Sequence, residues 1–199
     1  MSKFAIVFIT ILVLILLSFG KYISVKNTLV AKNEGVKSTW AEVDVVLQRR
    51  ADLIPNLVET VKGITKQEQA VFGEIAQARS QLLSASSPSD KIAANGRLDG
   101  ALGRLLAIAE NYPQLRSSEN FLRLQDELAG TENRIAVERK RYNDTLQDYN
   151  TYVQQFPNSI FAANLGFKPN TAYFAASEGA RTVPKVNFGT PETQPAPAR

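Results

Sequence analysis

The first residues of the chain form an uninterrupted apolar segment. Residues 4–19 read FAIVFITILVLILLSF, sixteen positions without a charge, and are followed by GKYI. With this extension, and with Lys21 able to direct its ammonium group toward the interface, the segment approaches the roughly 20 residues that a helix needs to cross a bilayer. The pattern predicts a transmembrane anchor over residues 1–23 that contacts lipid through residues 4–20.

A cleaved signal peptide is the alternative interpretation of the same segment. Ser18 and Gly20 are small residues at a spacing that resembles a cleavage site. The apolar run is long for a signal peptide, however, and helix-compatible sequence follows it directly. The uncleaved anchor is therefore the favoured interpretation.

Lysines on the two sides of the anchor indicate its orientation. Lys3 precedes the apolar segment, and four lysines follow it within a short stretch: Lys21, Lys26, Lys32 and Lys37. Positive residues favour the cytoplasmic side of a membrane protein. We therefore expect a single-pass protein of the cell membrane whose C-terminal domain is cytoplasmic.

Beyond the anchor, apolar positions recur at the three- and four-residue spacing of amphipathic helices. Pro55 interrupts this pattern without shifting it, so a turn and a single kinked helix are both compatible with the sequence. A turn gives two helices, 24–53 and 55–86, each about 45 Å long and matched as antiparallel neighbours. This match in length favours the turn. The two apolar stripes comprise Leu29, Val36, Trp40, Val43 and Leu47, and then Leu57, Val61, Ile64, Phe72, Ile75 and Leu82.

Two further helices are predicted in the second half of the chain. After the break SASSPSD, Ser89 or Asp90 is expected to cap a helix over residues 90–111, and a long three–four cadence predicts another over 118–156. Residues 158–175 are expected to be a short helical or irregular segment. The Pro-, Thr- and Gln-containing residues 176–199 have the composition of a disordered tail.

Together these elements predict an all-α protein with an N-terminal transmembrane helix and an antiparallel up-down four-helix bundle in residues 24–175. Four positions on the apolar stripes should be buried, and Leu128→Ala should destabilise the domain by about 2–5 kcal/mol. Two asparagines of the fourth helix, Asn133 and Asn143, are candidates for fixing the helix register. The four apolar positions are Trp40, Leu47, Leu128 and Ile135.

Composition excludes several kinds of chemistry. The chain has neither cysteine nor histidine, so thiolate and imidazole ligands and histidine bases are absent. The carboxylate pairs worth considering are Glu42 with Asp44 and Glu132 with Glu138, and a solvated surface is the better interpretation of both. We therefore predict no enzyme activity, no cofactor and no metal. Acidic residues interleave the basic ones, so no nucleic-acid partner is expected.

Three segments carry a family resemblance. They lie within Trp40–Gly63, Leu102–Asp144 and Tyr149–Phe167 and contain RRADLIPNLV, ENYP and ENRIAVERKRYN. This combination resembles the LemA family of bacterial membrane proteins. The resemblance implies a membrane-anchored four-helix domain with the N-terminus outside the cell, and it implies no established activity. Where that family often reads Tyr-Ala-x-His-Glu, this chain has ITKQE at 64–68, so no role of that histidine is carried over.

The predicted topology brings two connections to the membrane-distal end of the bundle. Arginine and tyrosine are frequent anchors of protein interfaces, which makes this end a candidate partner-binding surface. In the alternative interpretation, Asp52, Asn56 and Asn111 cap helix ends and Arg50 pairs with Glu110. The candidate binding residues are Arg49, Arg50, Asp52, Asn56, Glu110, Asn111 and Tyr112.

The leading hypothesis for function is a non-enzymatic scaffold or adaptor that holds a partner at the membrane. That partner would be an unidentified membrane or membrane-associated protein, or a second copy of the chain. A component that shapes the membrane through the aromatic segment 158–175 is the alternative. An enzyme is a third class that no sequence feature supports.

Overall fold

The computed structural model describes residues 3–62 and 69–175, and in these ranges every regular element is a helix. The all-α prediction is confirmed for this part of the chain. The predicted tail, 176–199, and the segment 64–68 lie outside the described residues. The helices are α1 (Lys3–Lys62), α2 (Gln69–Ser84), α3 (Pro88–Ala109), α4 (Pro113–Arg116), α5 (Glu119–Gln154) and α6 (Asn158–Asn164).

Helix α1 continues through Pro55, so the predicted turn is wrong and the single-helix alternative is correct at this point. A proline inside a helix has no N–H to donate to the carbonyl four residues earlier. That carbonyl belongs to Ala51, and it accepts a hydrogen bond from Nε of Arg79 on α2 at 2.8 Å. A side chain from another helix thus replaces the missing backbone donor. This contact reduces the loss of stability that the proline causes in α1.

Because Arg79 supplies the donor that Pro55 lacks, the effects on stability of substitutions at these two positions should depend on each other. Arg79→Met should destabilise the domain by about 1–2 kcal/mol, because it leaves the Ala51 carbonyl without its donor. In a Pro55→Ala background the new N–H serves that carbonyl, and the same substitution should cost less than half as much. Urea denaturation of the full chain in detergent, followed by tryptophan emission, measures both costs.

The control for this cycle is Arg104→Met. Arg104 forms an ion pair with Glu74 in which both side chains are about half exposed, so its cost should be small and independent of Pro55. Equal costs of Arg79→Met in the two backgrounds would show that the arginine does not compensate for the proline.

Helices α1 and α5 share the most extensive contact among the described helices. Near the start of this contact Lys32 Nζ lies 2.5 Å from an Asp148 carboxylate oxygen. Further along α1, Arg50 Nη1 lies 2.8 Å from Glu132 Oε2. Residues later in α1 therefore contact residues earlier in α5.

Helices α2 and α3 form the second extensive contact. Arg97 donates to Gln81 at 2.7 Å, and Arg104 lies 2.6 Å from Glu74, so the contacts again run in opposite order along the two helices. Helix α3 begins earlier than predicted: Ser87, not residue 89 or 90, accepts the hydrogen bond of the first turn from a backbone N–H at 3.1 Å. The proline that follows Ser87 is suited to the first helical position, which explains the shift.

The core begins on α1 at Val25, just beyond the apolar N-terminal segment. Leu47 and Ile135 are fully buried, as predicted, whereas Trp40 and Leu128 are half-buried and pack against the core from its edge. The stripe on α1 thus has the predicted phase, with its largest aromatic residue at the boundary.

Candidate functional site

The candidate partner-binding residues do not assemble at one end of the domain. Arg50 lies inside α1 and contacts α3 at Asn95 and Asp99. Glu110 follows Asp99 by eleven residues, about 16 Å along a helix. Because no turn occurs at Pro55, the α1 candidates and the residues around Glu110 lie at different positions along the helix axes.

Three of the α1 candidates are exposed: Arg49, Asp52 and Asn56. Asp52 accepts a hydrogen bond of 3.0 Å from Gln48, one turn earlier on the same helix. The capping roles predicted for Asp52 and Asn56 are wrong, since α1 has no end at these positions.

The second group of candidates surrounds the short helix α4. Glu110 and Asn111 are exposed at the end of α3, where the Asn111 N–H donates to Ile108 at 2.9 Å. Tyr112 precedes α4 and packs, half-buried, against the core. Tyr112 is therefore at least partly a core residue.

Arg50 is the buried centre of a polar cluster that connects α1, α3 and α5. Its side chain is only 8% exposed, and Nη1 lies 2.5 Å from Asp99 and 2.8 Å from Glu132. The same nitrogen donates to the side-chain oxygen of Asn95 at 3.2 Å. We call Arg50, Asn95, Asp99, Glu132 and Arg139 the Arg50 cluster.

The other members of the Arg50 cluster complete the pairing of charges. Asn95 is fully buried and donates to Asp99 at 3.1 Å, and Arg139 lies 3.6 Å from the same carboxylate. Two guanidinium groups thus face two carboxylates. Among the described residues no group of three or more His, Cys, Asp or Glu side chains is arranged to hold a metal ion. The predicted ion pair of Arg50 with Glu110 is replaced by these contacts.

The carboxylates considered for catalysis lie in different environments. Asp44 contacts Lys91, and Glu42 is exposed. Glu132 belongs to the Arg50 cluster, whereas Glu138, whose side chain is 22% exposed, lies 3.8 Å from Arg141 on the same helix. The two members of each pair therefore have different surroundings.

An extended segment after α6, residues 168–175, returns along α5, and we call it the strap. The Asn150 side chain binds both backbone polar groups of Asn170. It donates to the carbonyl at 2.6 Å and accepts from the N–H at 2.8 Å. Asn143 holds Phe174 in the same way, at 2.8 and 3.0 Å. The two asparagines therefore recognise backbone at two points of the strap.

Aromatic contacts fix the end of the strap. The ring of Phe174 stacks on Trp40 with centroids 6.2 Å apart and meets Tyr142 edge-on at 6.0 Å. The guanidinium of Arg139 lies 5.0 Å from the Phe174 ring centroid. Burial, with a smaller contribution from Tyr173, raises the pKa of Tyr142 above its ordinary value, so this phenol is neutral in the folded protein at neutral pH.

Tyr149 binds the beginning of the strap. Its hydroxyl donates to the Lys168 carbonyl at 3.0 Å, and burial raises its pKa as well. The sequence indicated no binding role for Tyr149 or Asn150, and Asn143 was predicted to fix the helix register. Asn143 and Asn150 are seven positions apart and so share one face of α5, which is a pattern that the sequence contains. The segment that these asparagines bind could not be predicted from the sequence, because the strap has no periodic pattern.

The N-terminal part of α1 presents a different surface. Of the helices described, α1 is long and apolar enough near its N-terminus to cross a membrane, and the apolar window is not buried against the rest of the protein. The large apolar side chains between Phe4 and Phe19 are all about half exposed or more.

The match to known proteins covers most of the folded domain. The family model for the LemA family matches residues 39–188. The chain belongs to the LemA family. It is also similar to "Magnetosome protein MamQ 2" of Paramagnetospirillum magneticum and "Magnetosome protein MamQ" of Magnetospirillum gryphiswaldense, each 27% identical over 71% of this chain. "Protein LemA" of Metamycoplasma hominis is 23% identical over 86% of this chain and 76% of its own length.

The chain spans 62% of the length of the MamQ proteins that it matches. The matched LemA region begins at residue 39, within α1, and includes the Arg50 cluster and the strap. Family membership and the apolar N-terminal helix are together consistent with a membrane-associated protein.

Proposed function

We propose that this LemA-family chain is a non-enzymatic, single-pass membrane scaffold that holds a partner protein at a fixed position above the bilayer. The observation that carries the proposal is the continuity of α1. Its residues 4–19 are exposed and apolar, and the same helix contributes the core from Val25 onward. A continuous helix transmits the position and direction of the anchor to the domain, as a scaffold requires.

The order in which residues of neighbouring helices contact each other supports an antiparallel four-helix bundle above this anchor. Contacts between α1 and α5, and between α2 and α3, run in opposite directions along the paired helices. Contacts of α1 with α3 run in the same direction, since Asp44 meets Lys91 and Arg50 meets Asp99. These relations support the proposed up-down-up-down arrangement.

A membrane-shaping component is the second candidate, and one observation favours it. Helix α6 lies next to α1 just beyond the anchor, with the Tyr22 and Phe161 rings 6.1 Å apart. Ile160 and Phe156 are more than half exposed in this region. Phe167 and Phe174, in contrast, pack against the core, so most of the aromatic surface needed to enter a bilayer is already occupied.

The anchor is tested by carbonate extraction of membranes that contain the full chain. Wild-type protein should stay in the pellet, whereas Leu12→Lys with Ile15→Lys should leave it, because each charge at a helix centre opposes insertion by about 2.5–3.5 kcal/mol. The matched control, Val45→Lys with Val137→Lys, places the same charges on exposed domain positions and should remain in the pellet. Recovery of soluble wild-type protein that begins at Lys21 would show a cleaved signal peptide.

The orientation is tested separately. The chain contains no cysteine, so a single Val45→Cys substitution provides a unique label on the domain. A membrane-impermeant maleimide should react with intact cells only weakly and with opened cells fully if the domain is cytoplasmic. Full labelling of intact cells would place the domain outside.

A further inference from the structure

The end of α5 lies close to the point where the anchor leaves its apolar segment. Lys32 on α1 lies 2.5 Å from Asp148 on α5, and the contacts between these helices run in opposite directions. Gln154, the last residue of α5, lies six residues beyond Asp148 and is therefore opposite the part of α1 near Lys26. Lys26 follows Gly20 by six residues, which is about 9 Å along a helix.

Helix α6 lies still closer to the anchor. The rings of Phe161 on α6 and Tyr22 on α1 are 6.1 Å apart. Tyr22 follows Gly20 by two residues, about 3 Å along α1. The headgroup region of a bilayer extends roughly 5–8 Å beyond each face of the hydrocarbon core. When the apolar segment spans that core, α6 therefore lies at the height of the lipid headgroups.

Two large apolar side chains are exposed at this height. Phe156, in the turn between α5 and α6, is 78% exposed, and Ile160 on α6 is 54% exposed. Phe161 and Leu165, in contrast, pack against the core, so α6 carries apolar side chains beyond those that hold it to the domain. Large apolar side chains of interfacial segments insert at the boundary between headgroups and acyl chains. A bilayer at this height would cover Phe156 and Ile160.

Charge is distributed unevenly along the domain. Residues 20–33 and 149–175 contain four lysines and no acidic residue, whereas acidic residues are frequent throughout residues 34–148. Lys21 and Lys26 are exposed on the part of α1 nearest the apolar segment. Basic and large apolar side chains together are typical of segments that bind anionic membrane surfaces. We call Lys21, Lys26, Phe156 and Ile160 the basal surface.

We propose that the basal surface docks on the anionic surface of the bilayer that holds the anchor. Phe156 and Ile160 lie among the headgroups, and Lys21 and Lys26 face lipid phosphates. The proposal rests on the anchor of the proposed scaffold and deepens that function, because a single transmembrane helix tilts by up to about 40° and a second contact beside it fixes the tilt. Two side chains among the headgroups require no deformation of the bilayer, which distinguishes this contact from membrane shaping.

Fluorescence of the labelled full chain in vesicles tests the docking. The chain has no cysteine, so Gln155→Cys, at an exposed position beside Phe156, provides a single site for an environment-sensitive dye. The vesicles contain either phosphatidylcholine or an equal mixture of phosphatidylcholine and phosphatidylglycerol, each with a lipid that carries a nitroxide near the top of its acyl chain. In the mixed vesicles the dye should emit at a shorter wavelength and be quenched by the nitroxide, and both effects should be weaker in phosphatidylcholine.

Substitution of the two apolar side chains separates docking from the proximity that the anchor imposes by itself. Phe156→Ser with Ile160→Ser should lower the ratio of docked to undocked protein in the mixed vesicles by at least about tenfold, because both side chains lose their burial among the headgroups. The matched control, Val45→Ser with Val137→Ser, changes exposed apolar residues far from the anchor and should leave the quenching unchanged.

Substitution of one lysine tests the contribution of charge. Lys26→Gln should lower the docked-to-undocked ratio by about fivefold in the mixed vesicles, the effect of one basic residue near an anionic surface. In phosphatidylcholine vesicles it should have little effect. Lys62→Gln removes the same charge at the opposite end of α1 and should leave the quenching unchanged in both kinds of vesicle.

Two results would overturn the proposal. Equal quenching of the parent chain and the Phe156→Ser, Ile160→Ser variant would show that the anchor alone brings the dye to the lipid. Equal quenching of the parent chain in the two kinds of vesicle would show that no anionic surface is recognised. Carbonate extraction of the same vesicles reports the anchor separately. A chain that is extracted removes the anchor and the docking together, whereas a retained chain with an unquenched dye removes the docking alone.

Discussion

Replacement of Arg50 by methionine is expected to destabilise the helical domain by about 2–3 kcal/mol. Removal of one partner from a buried ion pair typically costs about 3–5 kcal/mol, because the remaining charge is left without compensation. Here Asp99 and Glu132 are 37% and 43% exposed, so water can hydrate part of the carboxylate charge and the cost is lower. Methionine preserves most of the packing of the long arginine side chain.

The adjacent arginine is the matched control for this prediction. Arg49 lies on the exposed side of α1, and Arg49→Met should change the free energy of unfolding by less than about 0.5 kcal/mol. Urea denaturation of the full chain in detergent, followed by emission of Trp40, gives both values. Similar losses for the two variants would mean that the Arg50 cluster does not stabilise the domain.

Arg49 and Arg50 were predicted to act together at a partner-binding end, and their different environments show what the sequence did not reveal. Arg50 directly precedes the buried Ala51 on α1, but the partners of Arg50 lie on α3 and α5. Finding these partners requires the register between helices, and that register depends on whether the chain turns at Pro55.

The course of the chain at Pro55 could not be decided from local sequence. The rule that a proline interrupts a helix rests on the lost hydrogen bond, and the donor that replaces it comes from Arg79, 28 positions away from Ala51. In contrast, the helix predicted over 118–156 corresponds closely to α5, Glu119–Gln154, because a long regular cadence of apolar positions is a local property.

The strap shows the same limit at the other end of the domain. Residues 158–175 were expected to be a short helical or irregular segment, and the structure contains both a short helix and an extended part. The contacts of Asn150 with Asn170 cross 20 positions and form between a helix and a segment without periodicity. Periodicity predicts which face of α5 is apolar, but it cannot identify a polar side chain that binds backbone.

Leu47→Ala should be among the most destabilising single substitutions in the domain, with a loss of about 2–5 kcal/mol. Leu47 is 1% exposed and belongs to the core that α1 shares with its neighbours. Alanine at this position removes buried methyl groups and leaves a cavity that a continuous helix cannot close by local movement. The loss should appear as a lower urea midpoint with an unchanged slope.

Two further substitutions test whether α1 and α5 are packed in the phase described. Val45→Ala lies two positions from Leu47 but affects a side chain that is 65% exposed, and it should cost less than about 0.5 kcal/mol. Leu128 is only half-buried at the core edge, so Leu128→Ala should cost about 1–2 kcal/mol, less than its apolar spacing alone predicted. The expected order is therefore Leu47, then Leu128, then Val45. A larger loss for Val45→Ala than for Leu47→Ala would show that α1 presents the opposite face to the core.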